Sequence, residues 1–369
     1  MPPEIRQPVP PFRDVFAHVF RLGVEVLTVE QLRRVADGLP EQTRRAVAGF
    51  LGEAGVANLA EGLDPAKALV LVESYPVAPV TEPDPTEFAT LYPQVMLATN
   101  QALDREQLRQ VISGLSSAEV ASQSLFLGTA GRREVFAALD PGHVEIILDH
   151  TADWVLIESA KDALGDFNQY TALIEKRERV RDKLQTLESI RFKTRHSPRA
   201  FYMKWGPGLF KGREVLYNEL VLGPGKLRVR EAGLLGVLPV TLDVKGALTG
   251  RGTNHLATEV GLHHMVTLLE QDHDRAVSRG HLERINHGLV TLDGRPVYKM
   301  ESRLPRDRSL GYYCHRVVHY TDYLAAVDIK AEVYDFEDRL HEEMHYRELD
   351  NNPTLSDADF DPRNKAYRL

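Results

Sequence analysis

The chain has 369 residues and a formal net charge of -8, with 43% hydrophobic and 27% charged residues. These values are typical of a globular protein, and the length favours two or three domains. The single Cys314 excludes an internal disulfide and a cysteine-based zinc cluster. No stretch approaches the roughly 18 apolar residues of a membrane span, so we expect a protein that is not membrane-spanning.

The first thirty residues carry charges of both signs and contain no long apolar run. They therefore lack the apolar core of a secretory signal, and a cytoplasmic location is expected. The alternative is the bacterial periplasm or envelope, if a leader was removed.

Charge is distributed unevenly along the chain. Residues 1–150 contain 12 Lys or Arg against 20 Asp or Glu, whereas residues 151–369 contain 33 of each. This difference predicts two domains, 1–150 and 151–369. Neither has a basic excess, so nucleic acid is not expected as a partner.

The first domain contains an internal repeat. At an offset of 76, residues 12–65 align with residues 88–141 without a gap, with 18 identities in 54 positions. The repeat predicts a duplicated all-α unit, with a proline-rich linker at 75–86. Either it forms a compact accessory domain or it binds a protein partner.

Local patterns indicate the helix ends inside the repeat. Thr28 and Asp104 precede equivalent EQLR segments, and each side chain is placed to act as an N-cap. Gly38 and Gly114 lie where the helices would end, and we expect both to adopt the left-handed conformation.

Beyond about residue 170, apolar and polar residues alternate with the period of a strand. About ten or eleven such segments follow one another, and the Asp293-Gly294 dipeptide predicts a tight hairpin between two of them. The pattern favours an α+β protein with a large curved antiparallel sheet, a half-barrel, in its C-terminal domain. Helices at 153–168 and 254–279 are expected to cover the sheet, and 232–256 to form a mobile flap.

Several C-terminal motifs carry a resemblance to a known family. They are KRERV (176–180), AFYMKW (200–205), KGREVLY (211–217), NHLATEVGL (254–262), GYYCHRV (311–317), VYDFEDRL (333–340) and LSDADFDPRNKAY (355–367). Together they resemble an uncharacterised bacterial domain family, over about residues 153–369, whose strand order is similar to the lipoprotein-carrier fold of LolA and LolB. The resemblance implies a curved sheet of about eleven strands and an apolar cavity for acyl chains.

Two histidine patterns suggest a metal site. The HEEMH segment satisfies H-E-x-x-H with His341, Glu342 and His345, but this motif binds zinc only on a helix. The preceding VYDFEDRL segment favours a strand, which would separate the two histidines by about 13 Å. A metal-dependent hydrolase using this segment is therefore kept as an alternative function.

The second pattern places His255, Glu259 and His263 four residues apart. The three side chains share a face only if a helix begins as early as Asn254. Solvated surface histidines are the simpler interpretation. Cys314 alternates within a strand and is expected to be packed. We therefore expect no catalytic residue, no metal and no cofactor.

The apolar face of the early strands remains as the candidate binding surface. Its residues are Ile190, Phe192, Phe201, Met203, Trp205, Val215, Tyr217, Leu227 and Val229. They line either a cavity or a filled core. The leading prediction is a non-enzymatic binding or carrier protein that holds a lipid, an acyl chain or another apolar small molecule there, with the helical repeat as a partner-binding module. A purely structural or protein-interaction module is the other alternative.

Overall fold

The computed structural model describes residues 4–52, 54–75, 84–236, 238–246 and 253–369. They fold into two compact units. Unit 1 comprises Met1–Asp162 with the segments Gly288–Tyr298 and Tyr323–Ala326, and unit 2 comprises the rest. The predicted boundary at 150/151 rests on composition alone, and the first segment of unit 1 extends beyond it to Asp162.

Ten α-helices of the described ranges occupy the first part of the chain, and one more lies among the strands. They are α1 (Phe12–Val26), α2 (Val29–Gly38), α3 (Glu41–Leu51), α4 (Gly55–Ala60), α5 (Pro65–Ser74), α6 (Pro85–Ala102), α7 (Arg105–Ser113), α8 (Ser117–Ala138), α9 (Pro141–His150), α10 (Asp153–Ala163) and α11 (Leu262–Ser278).

Both predicted N-caps are confirmed. The Thr28 hydroxyl accepts a hydrogen bond from the Gln31 backbone N–H, and the Asp104 carboxylate accepts from that of Gln107. In each case the glutamine side chain bonds back to the N-cap backbone, which completes a capping box.

The predicted left-handed conformation is wrong for both glycines. Gly38 is the last residue of α2, and Gly114 follows α7 with a φ of -80°, so Gly114 is not left-handed. A Cβ at position 114 would lie 2.9 Å from a methyl carbon of Leu22. A larger residue at position 114 would therefore require the end of the Leu22 side chain to move.

The two capping glutamines also contact each other. Nε2 of Gln31 donates to Oε1 of Gln107 over 2.8 Å, and Nε2 of Gln107 donates to Oε1 of Gln31 over 3.0 Å. Nε2 of Gln31 further donates to the Ala102 carbonyl, and Nε2 of Gln107 to the Val26 carbonyl. These side chains therefore join α2 and α7 to the helix ends beside them.

The strands form one open antiparallel sheet, as predicted. They are β1 (Gln169–Val180), β2 (Lys183–Leu184), β3 (Glu188–Arg195), β4 (Ala200–Trp205), β5 (Glu214–Asn218), β6 (Lys226–Arg230), β7 (Val240–Asp243), β8 (Glu283–Leu292), β9 (Arg295–Arg303), β10 (Arg316–Asp322), β11 (Val327–Tyr334) and β12 (Leu340–Asp350). Their order is β7-β6-β5-β4-β3-β1-β12-β11-β10-β9-β8, and β2 pairs only with β1. The chain thus has the predicted α+β class.

Local predictions within the sheet have different outcomes. Asp293 and Gly294 both have positive φ, as the predicted two-residue hairpin requires. Part of the predicted flap, Val240–Asp243, pairs with β6 as an edge strand, because main-chain hydrogen bonds extend the sheet there. Residues 247–252 of the flap and 76–83 of the linker lie outside the described residues.

The segment predicted as a helix at 153–168 is divided between the units at Asp162 and Ala163. Its first part, α10, buries Trp154 and Val155 against Ala121 and Ala152, whereas Phe167 in the following 3-10 turn packs against Tyr170 of β1. Trp154 is fully buried in this cluster, which explains why the helix packs there. The predicted helix at 254–279 begins later than expected, at Leu262.

The C-terminal tail covers one face of β3–β5. The ring of Tyr367 stacks on Tyr202 with centroids 3.8 Å apart, and the side-chain amide of Asn218 donates to the Phe360 carbonyl. Lys193 bonds Asp359 on the same face. Successive strand residues alternate between faces, so the apolar set of these strands faces the other way.

Candidate functional site

The nine predicted binding residues lie on one face of adjacent strands. Ile190 pairs with Trp205, and Phe192 with Met203. The pairing continues through the remaining residues on β5 and β6. Eight of the nine are buried, and Trp205 is half-buried. The structure therefore brings the predicted residues together, and their role in ligand binding stays a prediction.

A cleft lies elsewhere in unit 2, between α11 and the strands β10, β11 and β12. Its volume, including its open mouth, is about 900 Å³. The apolar side chains that line it are Val260, Met265, Leu268, Leu269, Val317, Ala331, Val333 and Met344. Such a lining suits the hydrocarbon part of a small molecule.

The cleft and the predicted residues share one face of the sheet. Tyr346 lines the cleft and pairs with Ile174 of β1, which pairs in turn with Ile190 of β3. Directly paired residues of neighbouring strands point to the same face. None of the nine predicted residues lines this cleft, however, because the cleft is over β10–β12 and the predicted residues are on β3–β6.

Two tyrosines fix the start of α11 above the sheet. The Tyr346 hydroxyl accepts a hydrogen bond from the Gly261 N–H, and the Tyr170 hydroxyl accepts from the Leu262 N–H. Gly261 has a φ of 99°, and a Cβ there would lie 2.7 Å from the Tyr170 hydroxyl. Only glycine fits this position, because a side chain would prevent the backbone from approaching the sheet closely enough to form these hydrogen bonds.

One end of the cleft is polar. Nε2 of His255 lies 2.9 Å from Oε2 of Glu342, and the Tyr313 hydroxyl lies 3.2 Å from each of these two atoms. Burial alone would lower the pKa of His255, but the hydrogen bond and charge of Glu342 outweigh it and raise that pKa. Burial would raise the pKa of Glu342, but His255 and nearby groups hold it below its usual range.

A second carboxylate lies beside the first, on the neighbouring strand. Glu178 of β1 is directly opposite Glu342 of β12, and both are buried. Nζ of Lys176 and the Thr253 hydroxyl each lie 3.2 Å from Oε1 of Glu178. One ligand atom from each of Glu178, His255 and Glu342 can be chosen so that all three lie within 4.8 Å of one another.

A hydrogen-bonded pair of side chains, His319 and Asp328, also lines the cleft. Nδ1 of His319 lies 2.8 Å from a carboxylate oxygen of Asp328, and both side chains line the cleft. Burial would raise the pKa of Asp328, but the charge and hydrogen bond of His319 keep it lowered. The pair fixes the imidazole on the floor formed by β10 and β11.

The titratable lining of the cleft is acidic. It contains four carboxylates and three histidines, and no Lys or Arg is among the described residues that line it: Glu259, Asp272, Asp328, Glu342, His255, His264 and His319. This composition favours a cation at the polar end over an anion.

The HEEMH segment does not form the helix that a zinc motif needs. Residues Leu340–Asp350 are strand β12, so consecutive side chains alternate between faces. Glu342 faces the cleft, whereas His345 pairs with Glu175 on the other face. The hydrolase alternative built on this segment is therefore wrong.

The predicted trio of His255, Glu259 and His263 is only partly assembled. Helix α11 begins at Leu262, so the three do not share a helix face. His263 stacks on His196 with ring centroids 3.7 Å apart, away from the other two. His255 and Glu259 still approach each other, with Nδ1 and Oε2 3.8 Å apart.

Cys314 is packed, as expected from the sequence. It is buried, and burial raises the pKa of its thiol to about 12. A thiol with so high a pKa carries almost no thiolate at neutral pH, so it is a poor nucleophile.

Residues 167–369, more than half of the chain, match the model of a family described as "Protein of unknown function (DUF1571)". The chain belongs to this family. The predicted resemblance to an uncharacterised bacterial domain family is thereby confirmed. No match was found among curated proteins.

Several solved structures are similar to the DUF1571 chain at low identity. The lipoprotein LppX of Mycobacterium tuberculosis is 12% identical, covers 55% of this chain and 99% of its own, and has a TM-score of 0.34. A LolA superfamily protein of Nitrosomonas europaea is 14% identical over 55% of this chain and 97% of its own, with a TM-score of 0.23. An uncharacterized conserved protein of Thermus thermophilus is 11% identical over 56% of this chain and 96% of its own, with a TM-score of 0.32.

No helix in the described parts of this DUF1571 chain is both long enough and apolar enough to cross a membrane.

Unit 1 contains an apolar cavity of its own, of about 880 Å³ including open space, lined by α1, α2, α6 and α7 among others. Several of its lining residues are equivalent in the repeat, such as Val19 with Val95 and Leu27 with Leu103.

Glu178 and Tyr313 were not predicted as residues of the polar end, and Glu342 was predicted only as part of the HEEMH motif. They come from β1, from the segment before β10 and from β12, and no local spacing links them. The one available indication was that Glu178 and Glu342 both lie within alternating strand patterns next to apolar residues.

Proposed function

We propose that unit 2 is a non-enzymatic binding or carrier domain that takes up the acyl chain of a lipid, or a similar apolar molecule, in the cleft between α11 and β10–β12. The observation that carries this proposal is the apolar lining of an open cleft of about 900 Å³. Apolar walls with a few polar groups at one end are typical of sites that bind small apolar ligands.

The first test is recovery of the ligand. Full-length protein is purified without detergent and extracted with organic solvent, and the extract is analysed by mass spectrometry. We expect one class of lipid in a fixed ratio to protein. An extract free of lipid, together with no saturable binding of a fluorescent fatty-acid probe, would overturn the proposal.

The second test locates the binding site. A fatty acid with a photoreactive group on its chain is bound, cross-linked and mapped by peptide sequencing. We expect labelled peptides from α11 and from residues 313–346. Labels at residues 190–229 would instead support the binding face predicted from the sequence, and labels within residues 12–151 would favour the cavity of unit 1.

A matched pair of substitutions tests the cleft itself. Ala331 lies half-buried on the cleft floor, so Ala331→Trp fills the space that the chain would occupy. We expect it to weaken probe binding at least tenfold. Ala358 is exposed and distant from the cleft lining, and Ala358→Trp should leave binding unchanged. Equal binding by both variants would contradict the proposal.

The partner-binding role of the helical repeat, transport and the cellular compartment stay predictions. The exposed side chains of Leu69 and Val72 on α5 provide an apolar surface that a protein partner could cover. A pull-down with full-length protein, compared with a Leu69→Ser/Val72→Ser variant, tests this role.

A further inference from the structure

We propose that Glu178, His255 and Glu342 bind one divalent transition-metal ion at the polar end of the cleft, and that Zn²⁺ is the ion that best matches this ligand set. The proposal does not depend on the identity of the apolar ligand. Two carboxylates and one imidazole are a combination that Zn²⁺ accepts, and it leaves a coordination position for water or a ligand group.

The ligand atoms are close enough for a shared ion. All three lie within 4.8 Å of one another, and His255 and Glu342 already approach to 2.9 Å. Around a tetrahedral zinc ion, neighbouring ligand atoms are about 3.4 Å apart, given bonds of about 2.0–2.1 Å. Small side-chain movements, without a change of backbone, therefore suffice to seat the ion.

The sheet itself creates a need for positive charge at this point. Glu178 and Glu342 occupy directly opposite positions on β1 and β12, and their relative exposures are only 3% and 8%. Like charges in this arrangement destabilise a sheet, and burial strengthens their repulsion. Lys176 supplies one positive charge to Glu178. A divalent ion between the carboxylates would neutralise both.

The surrounding groups suit a histidine that binds metal through Nε2. Nδ1 of His255 faces Oε2 of Glu259 at 3.8 Å, on the side opposite the proposed ion. At 3.8 Å the two atoms are not hydrogen-bonded, so Glu259 supplies a nearby negative charge and does not itself orient the ring. The hydroxyls of Tyr313 and Thr253 contact Glu342 and Glu178, so both carboxylates are held.

The geometry distinguishes this site from the HEEMH motif. Glu342 is the one residue that the two have in common. His341 is half-buried, with its ring 5.3 Å from that of Tyr313, and it belongs to no described group of three ligands that could hold an ion. His341 is therefore a neighbouring histidine on the same strand that should not contribute to binding.

The test is direct metal titration. Full-length protein is stripped with a chelator and titrated with Zn²⁺ in a calorimeter, and Co²⁺ is used as a spectroscopic probe of tetrahedral coordination. We expect one ion per chain. The substitutions His255→Ala and Glu178→Gln should each lower the affinity more than tenfold, and His341→Ala should leave it unchanged.

One further variant separates a metal site from an ion pair. Lys176→Met removes the cation that competes for Glu178, so its Zn²⁺ affinity should rise severalfold. The melting temperature of this variant should also be higher with saturating Zn²⁺ than without metal. Absence of saturable binding in the unmodified protein would overturn the proposal. So would binding that His255→Ala does not weaken, since the ion would then use other histidines.

Discussion

His255 and Glu342 are 87 positions apart in sequence, and their side chains meet over 2.9 Å between Nε2 and Oε2. His255 precedes α11, and Glu342 lies on β12, next to the central strand β1. The contact therefore joins the segment above the sheet to the middle of the sheet. It also places two titratable groups at the polar end of the apolar cleft.

Loss of this contact should destabilise the metal-free protein. In the variant His255→Ala, the buried carboxylate of Glu342 keeps its hydrogen bond from Tyr313 but loses the one with His255, and it faces Glu178 with less compensation. We expect the free energy of unfolding to fall by about 1.5–3 kcal/mol. Urea denaturation in the presence of a chelator measures the change. His341→Ala is the control, and an equal loss in both variants would show that the contact has no special contribution.

Acid should weaken the protein through His263. Burial, together with His196 and Arg199, lowers the pKa of His263 to about 4, whereas an unfolded histidine has a pKa of about 6.5. Below about pH 6.5 the unfolded chain takes up a proton that the folded chain does not. The contribution of neutral His263 to the free energy of unfolding is thus fully present above that pH, and it is lost progressively as the pH falls towards 4.

The variant His263→Phe tests this dependence, because it keeps an aromatic ring against His196 and cannot be protonated. We expect urea midpoints similar to those of the unmodified protein at pH 7.5, and a higher midpoint for the variant at pH 5. Parallel pH profiles for the two proteins would show that His263 does not titrate in this way.

A side chain at position 261 should displace the start of α11. Gly261→Ala introduces a Cβ 2.7 Å from the Tyr170 hydroxyl at a residue with a φ of 99°. Such strain costs about 1–3 kcal/mol, and the contact with Tyr170 adds to it. Thermal unfolding measures the loss. Gly165→Ala is the matched control, since a Cβ there meets nothing within 4 Å, and it should change stability little.

The two capping glutamines should behave as one unit. Gln31→Ala and Gln107→Ala each remove the contact between them and one bond to a capped backbone, so each should cost about 2 kcal/mol. The double variant should cost less than the sum, because both single variants break the same pair. Additive effects in chemical denaturation would indicate that the glutamines act separately.

The strands could be predicted because the residues that determine them lie close together in sequence. Alternation along RAFYMKWG, and the Asp293-Gly294 dipeptide, determine which side chains share a face and where a hairpin turns. The N-caps at Thr28 and Asp104 were predictable for the same reason, since each acts within three residues.

The polar end of the cleft was not predictable, because it depends on strand register. Glu178 and Glu342 become neighbours only once β1 is known to pair with β12, and no local pattern encodes that pairing. The start of α11 is also set from a distance, by the hydroxyls of Tyr170 and Tyr346. A helix that began at Asn254 would have supported the predicted histidine trio.

The contact between Gln31 and Gln107 relates equivalent positions of the two segments that align at an offset of 76. Val26 and Ala102 are separated by 76 positions, as are the two glutamines. Exchanging the two segments therefore maps the set of four hydrogen bonds onto itself, which is the property of a two-fold axis. A self-complementary contact of this kind is what two separate copies of one chain form in a homodimer. Within unit 1, two segments 76 positions apart therefore contact each other through one self-complementary set of hydrogen bonds.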